Sequence, residues 1–133
     1  MASIRKEVFI KADRAAVWDA VRDVGALHVR LVPGFAVDTR MDGDARIVTF
    51  GNGAVAREVI VAVDDDERRL VWSIVGGRFT HHNGAVQVLE EPGGARVVWI
   101  ADLLPHALAA EIAPMMERGL AVMKQTLETA AGR

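Results

Sequence analysis

No cysteine and no tyrosine occur in the 133 residues, and aromatic side chains are limited to four phenylalanines and three tryptophans. The missing thiols exclude disulfides, thiolate nucleophiles and cysteine-ligated zinc or iron–sulfur centres. The missing phenols exclude any mechanism in which a tyrosine donates a proton. An excess of one charge is also lacking: 16 basic and 18 acidic residues leave a formal net charge of -2. A nucleic-acid surface needs a basic excess or stripe, so no nucleic-acid partner is expected. No run approaches the roughly 18 uncharged apolar residues that a spanning helix needs. The opening MASIRKEVFIKADR carries charges every few positions, where a secretory leader would have an apolar core. No stable membrane insertion is expected, and a cytoplasmic location is. With no repeat or low-complexity tract to divide it, the chain 1–133 is read as a single domain.

What is present is 51% hydrophobic composition, arranged in two periods. SIRKEVFIK alternates Ile4, Lys6, Val8 and Ile10 against Arg5, Glu7, Phe9 and Lys11, which predicts a strand. ADRAAVWDAVRDVG then changes period. Asp13 is placed to cap, while Ala16, Val17, Ala20, Val21 and Val24 fall at helical spacing and Gly25 ends the run. ALHVRLVPGF predicts one or two further helical turns, closed by Pro33 and Gly34. From Gly34 to Leu104, turn chemistry recurs at short intervals (MDGD, GNG, DDDERR, GG, EEPGG), leaving room for hairpins alone and so for about six antiparallel strands. The acidic-basic run Asp64 to Arg69 reads as a solvated turn. The last segment places Leu108, Ile112, Met115, Met116, Leu120, Met123 and Leu127 on one broad helical face. Pro114 interrupts its backbone donors, which predicts a kink or a fresh helix start. The expected class is α+β: an antiparallel sheet curled around a long C-terminal helix.

These segments resemble the polyketide cyclase/dehydrase family of the START-related, birch-pollen-allergen-like (SRPBCC) superfamily. The likeness is carried by ADRAAVWDAVRDVGAL with VPGF, by VIVAVDDDERRLVWSI, by HNGAVQVLEEPGGARVVWIADLLP and by RGLAVMKQTLE, and it extends over essentially the whole chain. The resemblance implies a helix-grip fold: a curved sheet of about seven strands wrapped around the C-terminal helix, two short helices between strands one and two, and a ligand cavity between sheet and helix. The chain departs from the family pattern in three places. HVRLV supplies Arg30 and Leu31 where a tryptophan is usual, His82 stands where a tyrosine is common, and Val86 stands where a tryptophan is common.

The pair His81–His82 is the most conspicuous polar feature of the text. Neighbours on a strand point to opposite faces, so the two rings cannot share one cavity without a bulge. His82 goes with Gly84, Val86 and Val88, which places it inward, and His81 goes with Asn83, Ala85 and Gln87, which places it toward solvent. His28 and His106 make no ligand pattern with them, and no metal or cofactor is expected. Arg57 interrupts the apolar set Val55, Val59, Val61 and Val63. It is read either as an edge residue with its head in water or as a partner for an acidic group in the cavity; Glu58, on the opposite face, is read as solvated. Asp102 shares a face with Val98 and Ile100 near the end of the last strand, which favours a surface position, and it is kept with His82 as a candidate for moving a proton. Trp72, Trp99, Met115, Met116, Leu120 and Met123 are the apolar candidates for a pocket wall, alternatives to plain core packing. Trp18 reads as core, and Phe35 and Phe79 as residues at the cavity's ends.

Three functions follow as expectations. The first is a module that binds a small, largely apolar molecule of the lipid, polyketide or isoprenoid class, oriented by His82 and Arg57. The second is a metal-free cyclase/dehydrase-type enzyme using His82 or Asp102. The third is a ligand-free partner-binding domain whose methionine face makes a homodimer. No acid/base pair or activated nucleophile is legible, which favours the first.

Overall fold

Residues 2–133 are described by a computed structural model. The alternation at the start becomes β1 (Ala2–Ile10), with Ile4 and Ile10 buried. The helical spacing that follows becomes α1 (Arg14–Arg22), continued by a tight turn at Val24–Ala26 and a wide helical turn at Leu27–Leu31. Then come β2 (Ala36–Asp42), β3 (Ala45–Phe50), β4 (Val55–Asp64), β5 (Arg69–Ile74), β6 (His81–Glu91) and β7 (Gly94–Leu104), and the chain ends in α2 (Ala109–Ala131). The strands form one antiparallel sheet in the order β1-β7-β6-β5-β4-β3-β2. Gly43 (φ 63°) and Gly93 (φ 86°) supply the left-handed backbone that the β2–β3 and β6–β7 turns require.

The sheet curls, and α2 lies against its concave side. Register shifts between Ala36 and Asp38 and between Ile60 and Ala62 mark where β2 and β4 bend. On α2 the residues Met116, Leu120, Met123 and Leu127 recur at helical spacing and are buried. The helix is tied to edge strand β1 by Lys124, whose ammonium donates to the Phe9 carbonyl at 2.7 Å, and by Glu128, which accepts the Lys11 backbone N–H at 2.8 Å. A Lys6–Glu117 pair at 2.8 Å adds a further tie. The arrangement is a helix-grip fold.

Two expectations need correction. Pro114 does not start a new helix: α2 runs on through it, Pro114 being its sixth residue. The carbonyl deprived of a donor belongs to Ala110, which is exposed and so reached by water. The charged turn after β4 is not merely solvated. Asp65 accepts the indole N–H of Trp18 at 2.8 Å and the Nε–H of Arg22 at 2.8 Å, so the turn anchors α1. Trp18 itself is core, as its position on the helix predicts.

Candidate functional site

Between the concave sheet and α2 lies a cavity of about 560 Å³. Its floor depends on glycine at position 84. Trp72 of β5 is the cross-strand partner of Gly84 on β6, and its indole occupies the space that a Cβ on that residue would need. Trp99 of β7 stands 6.2 Å from Trp72, ring centre to ring centre, and both line the cavity. The Trp99 indole N–H is buried with no hydrogen-bond partner among the described residues. On the helix side Gly119 lets Trp99 and Phe35 approach closely. Met115, Met116 and Met123 complete that wall with flexible, polarizable side chains. Phe35 packs edge-on against Phe50 at 5.7 Å, and Phe79 packs on His82 at 4.9 Å; all four line the cavity.

The two histidines divide as strand parity dictates. His81 is exposed and His82 is buried in the cavity wall, and the β6–β7 register continues without a shift through Gly84. The Ile74 backbone N–H donates to His82 Nδ1 at 3.4 Å, so the neutral ring carries its proton on Nε2. Burial pulls the His82 pKa from 6.5 to about 4, with the neighbouring His81 adding to the fall. The imidazole is therefore uncharged at neutral pH and offers the cavity an N–H donor.

The principal charged feature of the wall is an ion pair. Arg46 of β3 and Glu58 of β4 are cross-strand partners, and Arg46 Nε donates to Glu58 Oε1 at 2.8 Å. Their side chains are 4% and 6% exposed, which makes this a buried pair. Arg46 Nη1 also donates to the Val24 carbonyl at 3.2 Å, and the guanidinium carbon lies 5.7 Å from the Trp72 ring centre. Both residues line the cavity.

Glu58 is thus buried and not solvated, a correction whose cause is the bulge in β4. Ile60 pairs with Trp72 and Val63 with Leu70, so one extra residue is accommodated between them. Cross-strand partners project to the same face. Val63 is therefore on the side of Leu70, while Val55 and Val59 are on the other, and the four valines do not form one apolar face. In the first half of β4 the inward residues are Ala56, Glu58 and Ile60. Arg57 lies on the outer side of this strand at the cavity mouth, with Nη1 at 2.5 Å from Asp42 Oδ2. Its side chain is 41% exposed, although β4 is paired on both sides and is not a sheet edge.

Asp102 stands on the outer face of β7, between inward Ala101 and Leu103 and opposite Ser3 and Asn83. It is not part of the cavity wall, although its negative charge acts on His82 against the fall in that ring's pKa. Leu120 is likewise absent from the wall: it is 3% exposed and packs into the core beneath. The remaining candidates, Trp72, Trp99, His82, Met115, Met116 and Met123, all border the cavity. Arg46 escaped sequence reading, although a signal existed. Arg46 and Glu58 stand six residues either side of Asn52 in the GNG turn, which sets them opposite each other in a hairpin.

At the mouth, Arg78 from the β5–β6 loop meets Glu111 at the start of α2, with Nη2 at 2.6 Å from Oε2. Val55 and Val75 stand exposed beside them. Among the described residues no group of three His, Asp or Glu side chains is placed to hold a metal ion. No helix among them is long and apolar enough to cross a membrane.

The whole arrangement can be set beside known proteins. Residues 1–128 match the family described as polyketide cyclase / dehydrase and lipid transport. The chain belongs to that family. Among solved structures, an uncharacterised protein of Bacillus thuringiensis superposes with a TM-score of 0.82 at 20% identity, covering 95% of this chain and 98% of its own. A Thermobifida fusca protein superposes with a TM-score of 0.80 at 27% identity, covering 100% and 95%. Norcoclaurine synthase of Thalictrum flavum, in complex with dopamine and hydroxybenzaldehyde, has a TM-score of 0.69 at 19% identity, covering 97% and 85%. No curated protein matches the chain in sequence.

Proposed function

We propose that this member of the polyketide cyclase / dehydrase and lipid transport family binds one small, largely apolar molecule between the curved sheet and α2, without making or breaking a bond in it. The observation that carries the reading is the 560 Å³ space, walled by indoles, phenyl rings and methionines and interrupted by a few polar groups. Its volume is that of a site for a drug-sized molecule. Trp72, Trp99 and the α2 methionines supply the apolar contact, and His82 offers a neutral N–H that orients the occupant without adding a charge.

An enzymatic reading has less support. His82 uses Nδ1 on the Ile74 backbone and has a pKa far below neutrality, which makes it a weak base. Asp102 points away from the cavity.

Native mass spectrometry of freshly purified protein tests the reading. A released apolar molecule in stoichiometric amount supports it. Bare protein that shows no thermal shift with lipids, aromatic polyketides or isoprenoids removes it and leaves a partner-binding or dimerisation domain.

A further inference from the structure

The Arg46–Glu58 pair is an unusual thing to find in the wall of an apolar cavity. Two charges are removed from water there, although apolar residues would fill the same space at no desolvation cost. Each charge satisfies only part of the other. Arg46 commits Nε to Glu58 and Nη1 to the Val24 carbonyl, and among the described residues Nη2 makes no further hydrogen bond. Glu58 accepts through Oε1, and its Oε2 has no donor among the described residues. Neither atom is among those sealed from solvent-sized space without a partner, and both residues border the cavity. An unused donor and an unused acceptor therefore belong to one ion pair on a wall that is mainly apolar.

From this geometry we infer that the cavity selects an uncharged ligand bearing a hydroxyl group, an alcohol, phenol or enol, which accepts from Arg46 Nη2 and donates to Glu58 Oε2. The inference rests on the binding role proposed above and names the polar chemistry of its ligand. A hydroxyl suits the site because one oxygen is both donor and acceptor, matching the unused acceptor and donor of the pair. A carboxylate drawn to Arg46 is brought equally close to Glu58, and the pair, already neutral, leaves its charge uncompensated. An ammonium meets the mirror-image problem at Arg46. A pure hydrocarbon fills the space but leaves both polar atoms without a partner.

Four probes on one aromatic frame separate these cases: 2-naphthol, 2-naphthoate, 2-naphthylmethylammonium and naphthalene, titrated calorimetrically at pH 7 into the intact protein and into R46M/E58M. The expected result is that 2-naphthol binds about tenfold or more tightly than the other three. In the double variant that advantage over naphthalene falls to a few-fold, because 2-naphthol loses its two partners and naphthalene no longer leaves polar atoms unpaired. Tightest binding by 2-naphthoate overturns the inference and makes Arg46 a simple anion anchor. A hydroxyl preference that survives in the double variant overturns it too and moves recognition elsewhere in the wall. Equal binding of all four probes defeats the inference but leaves the cavity as a binding site. Binding of none defeats both. The comparison among probes on the unaltered protein stands even if the double variant does not fold.

Discussion

A Cβ built on Gly84 would stand 2.7 Å from the Trp72 indole, closer than two carbon atoms can approach. The Trp72 ring on the cavity floor thus requires the absence of a side chain one strand away. Gly84→Ala is expected to push the indole off β6 and to lower stability by about 1–3 kcal/mol, the usual effect of overpacking. A change in tryptophan fluorescence should accompany the lower urea midpoint. Unchanged fluorescence and an unchanged midpoint would show that the ring is free to move aside.

The His82 ring gives a pH dependence of definite sign. Its folded pKa, about 4, is below the unfolded value of 6.5, so between these pH values the unfolded chain binds a proton that the native protein does not. Native stability is unaffected by this group above pH 6.5 and declines as pH falls from there toward 4. The loss is on the order of 3 kcal/mol at the lower end. Urea unfolding at pH 7 and pH 4.5 measures it, and His82→Asn should show a distinctly shallower decline than the unaltered protein.

Removing one member of the buried ion pair should differ sharply from removing both. Glu58→Ala leaves Arg46 buried and unpaired, for an expected loss of about 3–5 kcal/mol. The R46M/E58M double variant replaces the pair with apolar side chains and should fall within about 1 kcal/mol of the original. Chemical denaturation of the two variants checks the contrast. Equal losses in both would mean that shape, not charge, is what the position demands.

Leu120 and Met115 sit on the same helix but serve different spaces. Leu120→Ala opens a hole in the packed core and should lower stability by about 2–5 kcal/mol, with little effect on probe affinity. Met115, half-buried at the cavity wall, should do the reverse on truncation to Ala. Paired thermal unfolding and probe titration of each variant decide the assignment.

Asp65 should prove to be a structural residue of the acidic turn. Asp65→Ala deprives the Trp18 indole N–H of its acceptor and is expected to lower the melting temperature more than Asp66→Ala. The carboxyl of Asp65 is held below the usual range by Arg22 first and Trp18 second, so the anchor weakens as acid protonates it.

The elements were legible because each depends on local periodicity. Alternation in β1, helical spacing in α1 and α2, and glycine-bearing turns each act over a few residues, and the inward placement of His82 follows from parity along a strand without a bulge. The family could be read from the same text, and with it the helix-grip fold. What local pattern did not determine was the facing of β4. Parity fails where one extra residue is inserted between Ile60 and Val63, a bend that the curled sheet imposes and no residue type announces. Glu58 therefore faces inward with Arg57 on the outer side, and Arg46, six residues from Asn52 across the turn, has a buried partner. Tertiary packing also decided that Leu120 fills the core while its helical neighbours Met116 and Met123 border the cavity. The rotation of α2 against the sheet makes that choice. The sequence by itself determined periods, turns and hence the elements and their order; the three-dimensional structure decided which side chains share a space, because contacts across strands depend on register and curvature and not on spacing along the chain.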